Sequence, residues 1–128
     1  MSDAPRGRPG VAQPRPRWGL ARVRGASMEP TLSAGDRLLL SYRRTPAAGS
    51  LVVARFPDGV VVVKRADAPR ETASGAAGWW LLSDNPDAAG AVDSRARGAI
   101  AAGDVLAVVV ARLWPRPRRF ARGPHRPL

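Results

Sequence analysis

Apolar residues in this chain come in short uninterrupted runs closed off by turn formers, and they do not recur at the three-to-four-residue spacing of an amphipathic helix. Arg37-Leu-Leu-Leu-Ser-Tyr-Arg43 follows Gly35-Asp36, and Leu51-Val-Val-Ala-Arg-Phe56 follows Pro46 and Gly49. Val60-Val-Val-Val-Lys-Arg-Ala66 follows Pro57-Asp58-Gly59, Trp79-Trp-Leu-Leu82 follows Gly78, and Val105-Leu-Ala-Val-Val-Val-Ala-Arg-Leu-Trp114 follows Gly103-Asp104. Runs of this length, rich in β-branched residues and bounded by Gly, Pro and Asp, read as strands. No helix longer than about two turns is expected. The expected fold is all-β, coiled or barrel-like, with its clearest hairpin formed by Val52–Phe56 and Val60–Val63 across Pro57-Asp58-Gly59. Longer loops are expected at 67–78 and 84–99, the second dense in Asp, Asn, Ser and Arg.

The segments flanking this pattern differ in kind. Residues 1–17 and 116–128 mix Pro, Arg and Gly without apolar periodicity, which predicts disordered tails around a single folded unit at 18–115. The net charge of +11 also concentrates toward the ends. Arg6, Arg8, Arg15, Arg17, Arg22 and Arg24 face only Asp3 in the first 24 residues, and Arg116, Arg118, Arg119, Arg122 and Arg126 face no acid after Trp114. The middle is close to neutral, so any affinity for polyanions is assigned to the tails, as a non-enzymatic reading in which they bind nucleic acid or an anionic membrane. A specific nucleic-acid partner is not expected, and oligomeric state is not legible. No stretch of about 18 apolar residues occurs, which predicts no membrane span, and the N-terminal residues lack the apolar segment of a secretory signal. With no cysteine, disulfides and thiolate chemistry are excluded, and a cytoplasmic location is the default expectation.

The catalytic inventory is short. The sole histidine, His125, sits in the basic tail, far from any locked triad geometry. One histidine and no cysteine leave at most an all-carboxylate metal site, and neither glycine-rich phosphate loop occurs, so no metal and no cofactor are expected. What remains is a serine with a lysine as its base. Of 21 basic residues only Lys64 is lysine, and lysine, unlike arginine, can be brought toward neutrality by burial. It ends the run Val60–Val63, read as a strand buried on both faces, where its pKa can fall well below the ordinary ~10.4. Ser27 lies in Gly25-Ala-Ser-Met-Glu-Pro-Thr-Leu32, where a turn at Pro30 exposes its hydroxyl and small Gly25 and Ala26 admit a substrate backbone. Its own N–H is a candidate oxyanion donor. Taken singly, Ser27 also reads as a turn serine and Lys64 as a lysine snorkelling to solvent. Trp79 and Trp80 read as packing residues and not as a stacking platform.

Three ordered segments resemble the boxes of signal peptidase I and its relatives. Gly25-Ala26-Ser27-Met28-Glu29-Pro30-Thr31-Leu32 with Gly35-Asp36 resembles the nucleophile box, and Val61-Val62-Val63-Lys64-Arg65 the lysine box. Ser83-Asp84-Asn85, continuing to Asp93-Ser94-Arg95, resembles the third. The resemblance implies that Ser27 attacks the scissile carbonyl, that neutral Lys64 is the general base, and that Gly25, Ala26 and Met28 face the oxyanion or the approaching substrate. Asp36, Ser83, Asp84, Asn85, Asp93 and Arg95 would support the site, with Asp93 and Arg95 as a buried pair and Asp36 as a turn residue. Two hydroxyls often found in the family are replaced here by Gly25 and Ala91, and Ser83 or a backbone carbonyl is the expected substitute for the second. The missing anchor argues against secretory signal peptides as substrates. The chain is most similar to the compact, anchorless members that mature nickel-type superoxide dismutase, which implies the leader-bearing dismutase precursor as partner. A generic processing protease is the alternative. Self-cleaving repressors share the dyad, but no DNA-binding helix pair precedes Ser27.

Overall fold

A computed structural model describes residues 16–120. Within them the chain forms eight strands: β1 Trp18–Arg22, β2 Arg37–Ser41, β3 Leu51–Arg55, β4 Val61–Pro69, β5 Gly78–Leu82, β6 Ile100–Ala101, β7 Val105–Trp114 and β8 Arg118–Arg119. The one α-helix among the described residues, α1, spans Ser94–Arg97. All strands join one antiparallel sheet in the order β1-β2-β7-β3-β4-β5-β6, with β8 added to β7. The all-β expectation holds, and the sheet is curled.

Why β3 and β7 read as unbroken apolar runs is visible in the two core clusters. Leu51, Val53, Ala107 and Val109 pack with Val23, Met28, Leu32, Leu38 and Leu40. Their neighbours Val52, Ala54, Val108 and Val110 pack on the other face with Phe56, Ala66, Leu81 and Ile100. Successive side chains of a strand point to opposite faces, so a strand covered on both sides needs apolar residues at every position. Curling supplies the second cover without helices.

The hairpin between β3 and β4 forms as expected, with Arg55 opposite Val61. The run Val60–Val63, however, is not buried on both faces: Val60 is 52% and Val61 54% exposed. The cause is register. β5 pairs with β4 only from Arg65 onward, so the stretch before it keeps one free edge and an open face. The loop expected at 67–78 is also shorter, because β4 continues to Pro69 and pairs with Trp79 and Trp80 of β5. Trp79 packs against the second cluster, and Arg70 stacks on Trp80 at 4.1 Å.

Parts of the expected tails carry structure. Arg17 O accepts the Tyr42 N–H, Arg118 and Arg119 pair with β7, and Phe120 packs against the first cluster. The rest of the expected disorder, in 1–15 and 121–128, lies outside the described residues, as does His125.

Candidate active site

Lys64 is 2% exposed, among the most buried side chains of the protein. Facing Val52 across the ladder, it extends from the last β4 position before β5 begins to pair, and its Nζ reaches Ser27 Oγ at 3.2 Å and Ser83 Oγ at 2.8 Å. Burial lowers its pKa below the ordinary lysine value, opposed by the charge of Asp93. Desolvation favours the neutral amine, the form that can accept a proton.

Ser27 is held at the mouth of this arrangement by a turn. Ala26 O accepts the Glu29 N–H at 3.1 Å and Met28 O the Leu32 N–H at 2.9 Å. Gly25 enters the turn at φ +73, a left-handed conformation that glycine adopts without strain. A side chain at this position would be strained by the backbone itself. The Ser27 N–H has no acceptor among the described residues and is available to a ligand.

The turn is pinned from the far side by the loop after β5. Asn85 donates its backbone N–H to Ser27 O at 2.8 Å and its Nδ2 to Ala26 O at 3.1 Å. Asp84 accepts from Thr31 Oγ1 at 2.6 Å and from Arg65 through a fork, Nε at 3.2 Å and Nη2 at 2.6 Å. Burial alone would raise the Asp84 pKa, but the Arg65 and Thr31 hydrogen bonds outweigh it and hold the carboxyl below its ordinary value. The Gly25–Leu32 turn, strand β4 and the loop after β5 are thus tied together by Asp84 and Asn85.

Ser83 and Asp93 form the layer behind the lysine. Ser83 donates its N–H to Asp93 Oδ2 at 2.8 Å. Asp93 also caps α1 by accepting the Arg95 N–H at 3.1 Å and takes the Arg95 guanidinium at 2.7 Å. Desolvation pushes the Asp93 carboxyl up, and Arg95 with the two backbone donors brings it below its ordinary value. The pair is only half buried: the Asp93 side chain is 3% exposed and that of Arg95 51%. As a helix cap, Asp93 must face inward, while Arg95 lies in a four-residue helix on the surface.

The remaining expected residues separate. Met28 is packed in the first core cluster and lines the floor of a groove of about 440 Å³ beside Ser27 and Lys64. Asp36 stands away from the dyad, where it accepts Ser33 N–H at 2.9 Å and faces Arg112 at 3.4 Å. Arg112 also donates to Thr31 O at 3.0 Å, so Asp36 steadies the end of the Gly25–Leu32 turn. The sequence alone assigns no role to Arg112, Arg65 or Thr31. An arginine directly after the lysine is the one signal for Arg65, since alternation turns it away from the dyad.

The groove runs between the chain at Ala21–Arg24 and Val60–Val63 of the β4 edge, with Gly90 at its margin. Its β4 wall is the stretch with the free edge, a template for an extended peptide. Among the described residues no helix is long and apolar enough to cross a membrane.

Residues 8–109 match the Peptidase S24-like family. No curated protein matches the chain.

Proposed function

This chain belongs to the S24-like peptidase family, and we propose that it is a serine endopeptidase with a Ser27/Lys64 dyad that removes an N-terminal leader from a precursor protein. The observation that carries this reading is a lysine 2% exposed, hydrogen-bonded at 3.2 Å to a serine that borders an open groove. A surface lysine would stay protonated, and a buried one without a partner would have no chemical task.

In this mechanism the groove binds substrate as an extended strand against β4. Ser27 Oγ forms a bond to the scissile carbonyl carbon while neutral Lys64 takes the hydroxyl proton. The oxyanion is met by the Ser27 N–H. Collapse breaks the peptide bond, and Lys64 returns the proton to the departing amine. Water then attacks the acyl-enzyme, again through Lys64, and releases Ser27. Ser83 Oγ holds Nζ in line throughout.

The substrate we propose is the leader-bearing precursor of nickel-type superoxide dismutase, on the strength of the box resemblance. Incubation of the purified chain with that precursor, followed by intact-mass measurement, should give one new N-terminus that is lost in Ser27→Ala. An unprocessed dismutase precursor alongside cleavage of unrelated leader peptides would instead identify a generic processing protease.

A further inference from the structure

Two cationic side chains line the groove without serving the dyad. Val23 is buried in the first core cluster, and alternation along the extended chain then turns Arg22 and Arg24 to the outer side. Both border the groove. No carboxylate borders it. Four other arginines are matched with acids, Arg65 with Asp84, Arg95 with Asp93, Arg97 with Asp58 and Arg112 with Asp36, while Arg37, Arg70 and Arg118 lie over aromatic rings. Among the described residues Arg22 and Arg24 have no such partner. The opposite wall is aliphatic, formed by Val60–Val63. The groove is thus bordered by valines along one side and, along the other, by a segment carrying two exposed arginines without an acid partner.

We propose that Arg22 and Arg24 form a carboxylate-recognising subsite that selects substrates with an Asp or Glu close to the scissile bond. This rests on the peptidase reading of Ser27 and Lys64. Arg24 lies three residues before Ser27 across the turn at Gly25, so the two Cα atoms are at most about 10 Å apart, which places the selected side chain within about four residues of the cleaved bond. Guanidinium suits the task because its planar fork matches a carboxylate. Arg22 also borders a second, apolar recess with Leu20 and Trp114, so Arg24 is the principal contact. Desolvation of the pair by a bound peptide strengthens the interaction beyond that of an open surface pair.

The test uses octapeptides of alternating Ala and Val carrying a single Glu, Gln or Lys at each position in turn. Their affinity for the full chain with Ser27→Ala is measured by titration at low and at moderate salt. At one or two positions the Glu peptide should bind about five- to tenfold more tightly than the Gln peptide, with the advantage shrinking as salt rises. In Arg22→Glu/Arg24→Glu, checked for a native melting profile, the preference should invert toward Lys. Equal binding of Glu and Gln peptides at every position, no binding of any peptide, or a Glu preference that survives charge reversal would overturn the subsite. Turnover of the same peptides by the unaltered chain is read separately. A Glu preference without turnover would leave the subsite standing and remove the peptidase reading, and turnover without a preference would do the reverse.

Discussion

Lys64 Nζ donates to Ser83 Oγ at 2.8 Å, a closer contact than the 3.2 Å one it makes with Ser27 Oγ. Ser83 is itself fixed, because its N–H is held by the buried Asp93. The amine is thus anchored from behind and presented to Ser27 from the front. A positioning hydroxyl of this kind contributes through the orientation of the base. Ser83→Ala should lower kcat by about 10- to 100-fold with little change in KM, while Ser83→Thr, which retains the hydroxyl, should recover most of it. Removing the acceptor also destabilises the protonated amine, so the rising limb of the pH profile should move to lower pH. Unchanged kcat in Ser83→Ala, measured on any cleaved peptide, would contradict the assignment.

The buried amine should cost stability. Burial holds the Lys64 pKa below its ordinary value in the folded chain, so between the folded and unfolded values the unfolded chain binds more protons. Stability must then rise with pH across that window and level off above the unfolded value. Lys64→Met keeps the length and removes the charge. It should abolish that slope and raise stability at neutral pH by about 1 kcal/mol. Denaturant midpoints from about pH 6 to 10 decide the matter, and an identical slope in both proteins would show that Lys64 is solvated.

Asp84 and Asp93 govern the acid limb. Both carboxyls lie below their ordinary value in the folded state, so their contribution is complete above about pH 4 and is lost as pH falls through the lowered values. Asp84→Asn removes the partner of Arg65 and the acceptor of Thr31. With Arg65 about a third exposed, the cost should be modest, about 1–2 kcal/mol at pH 7, and should vanish toward pH 2. Thermal melts against pH test this. Turnover should fall as well, since the nucleophile turn loses one of its ties.

Much of this arrangement is legible in the sequence, for identifiable reasons. Strand-length apolar runs and the Pro57-Asp58-Gly59 turn carry the all-β fold and the β3–β4 hairpin because both are local signals. The solitary Lys64 stands out as the one lysine, whereas the choice of Ser27 among eight serines rests on the resemblance of Gly25–Leu32 to the nucleophile box of signal peptidase I and its relatives. The exposure of Val60 and Val61 is not legible, because it depends on where β5 stops pairing with β4, a register set by tertiary closure. The partners of Arg65, Thr31 and Arg112 are hidden for the same reason. Strand β8 leaves no trace because two arginines among prolines carry no apolar pattern, and its pairing is given by β7. Gly25 reads from sequence as space for a substrate, whereas its left-handed φ makes it a requirement of the turn.

The central claim is that Ser27 and Lys64 together cleave peptide bonds, and a randomised peptide pool tests it whatever the natural substrate is. The pool is incubated with the full chain, with Ser27→Ala and with Lys64→Arg at several pH values between about 6 and 10, and new termini are mapped by mass spectrometry. The account predicts new termini with the unaltered chain only, increasing with pH along a limb that lies below the ordinary lysine value, because a guanidinium cannot give up its proton to act as base. New termini produced equally by Ser27→Ala or Lys64→Arg, or none from the unaltered chain at any pH, would contradict it.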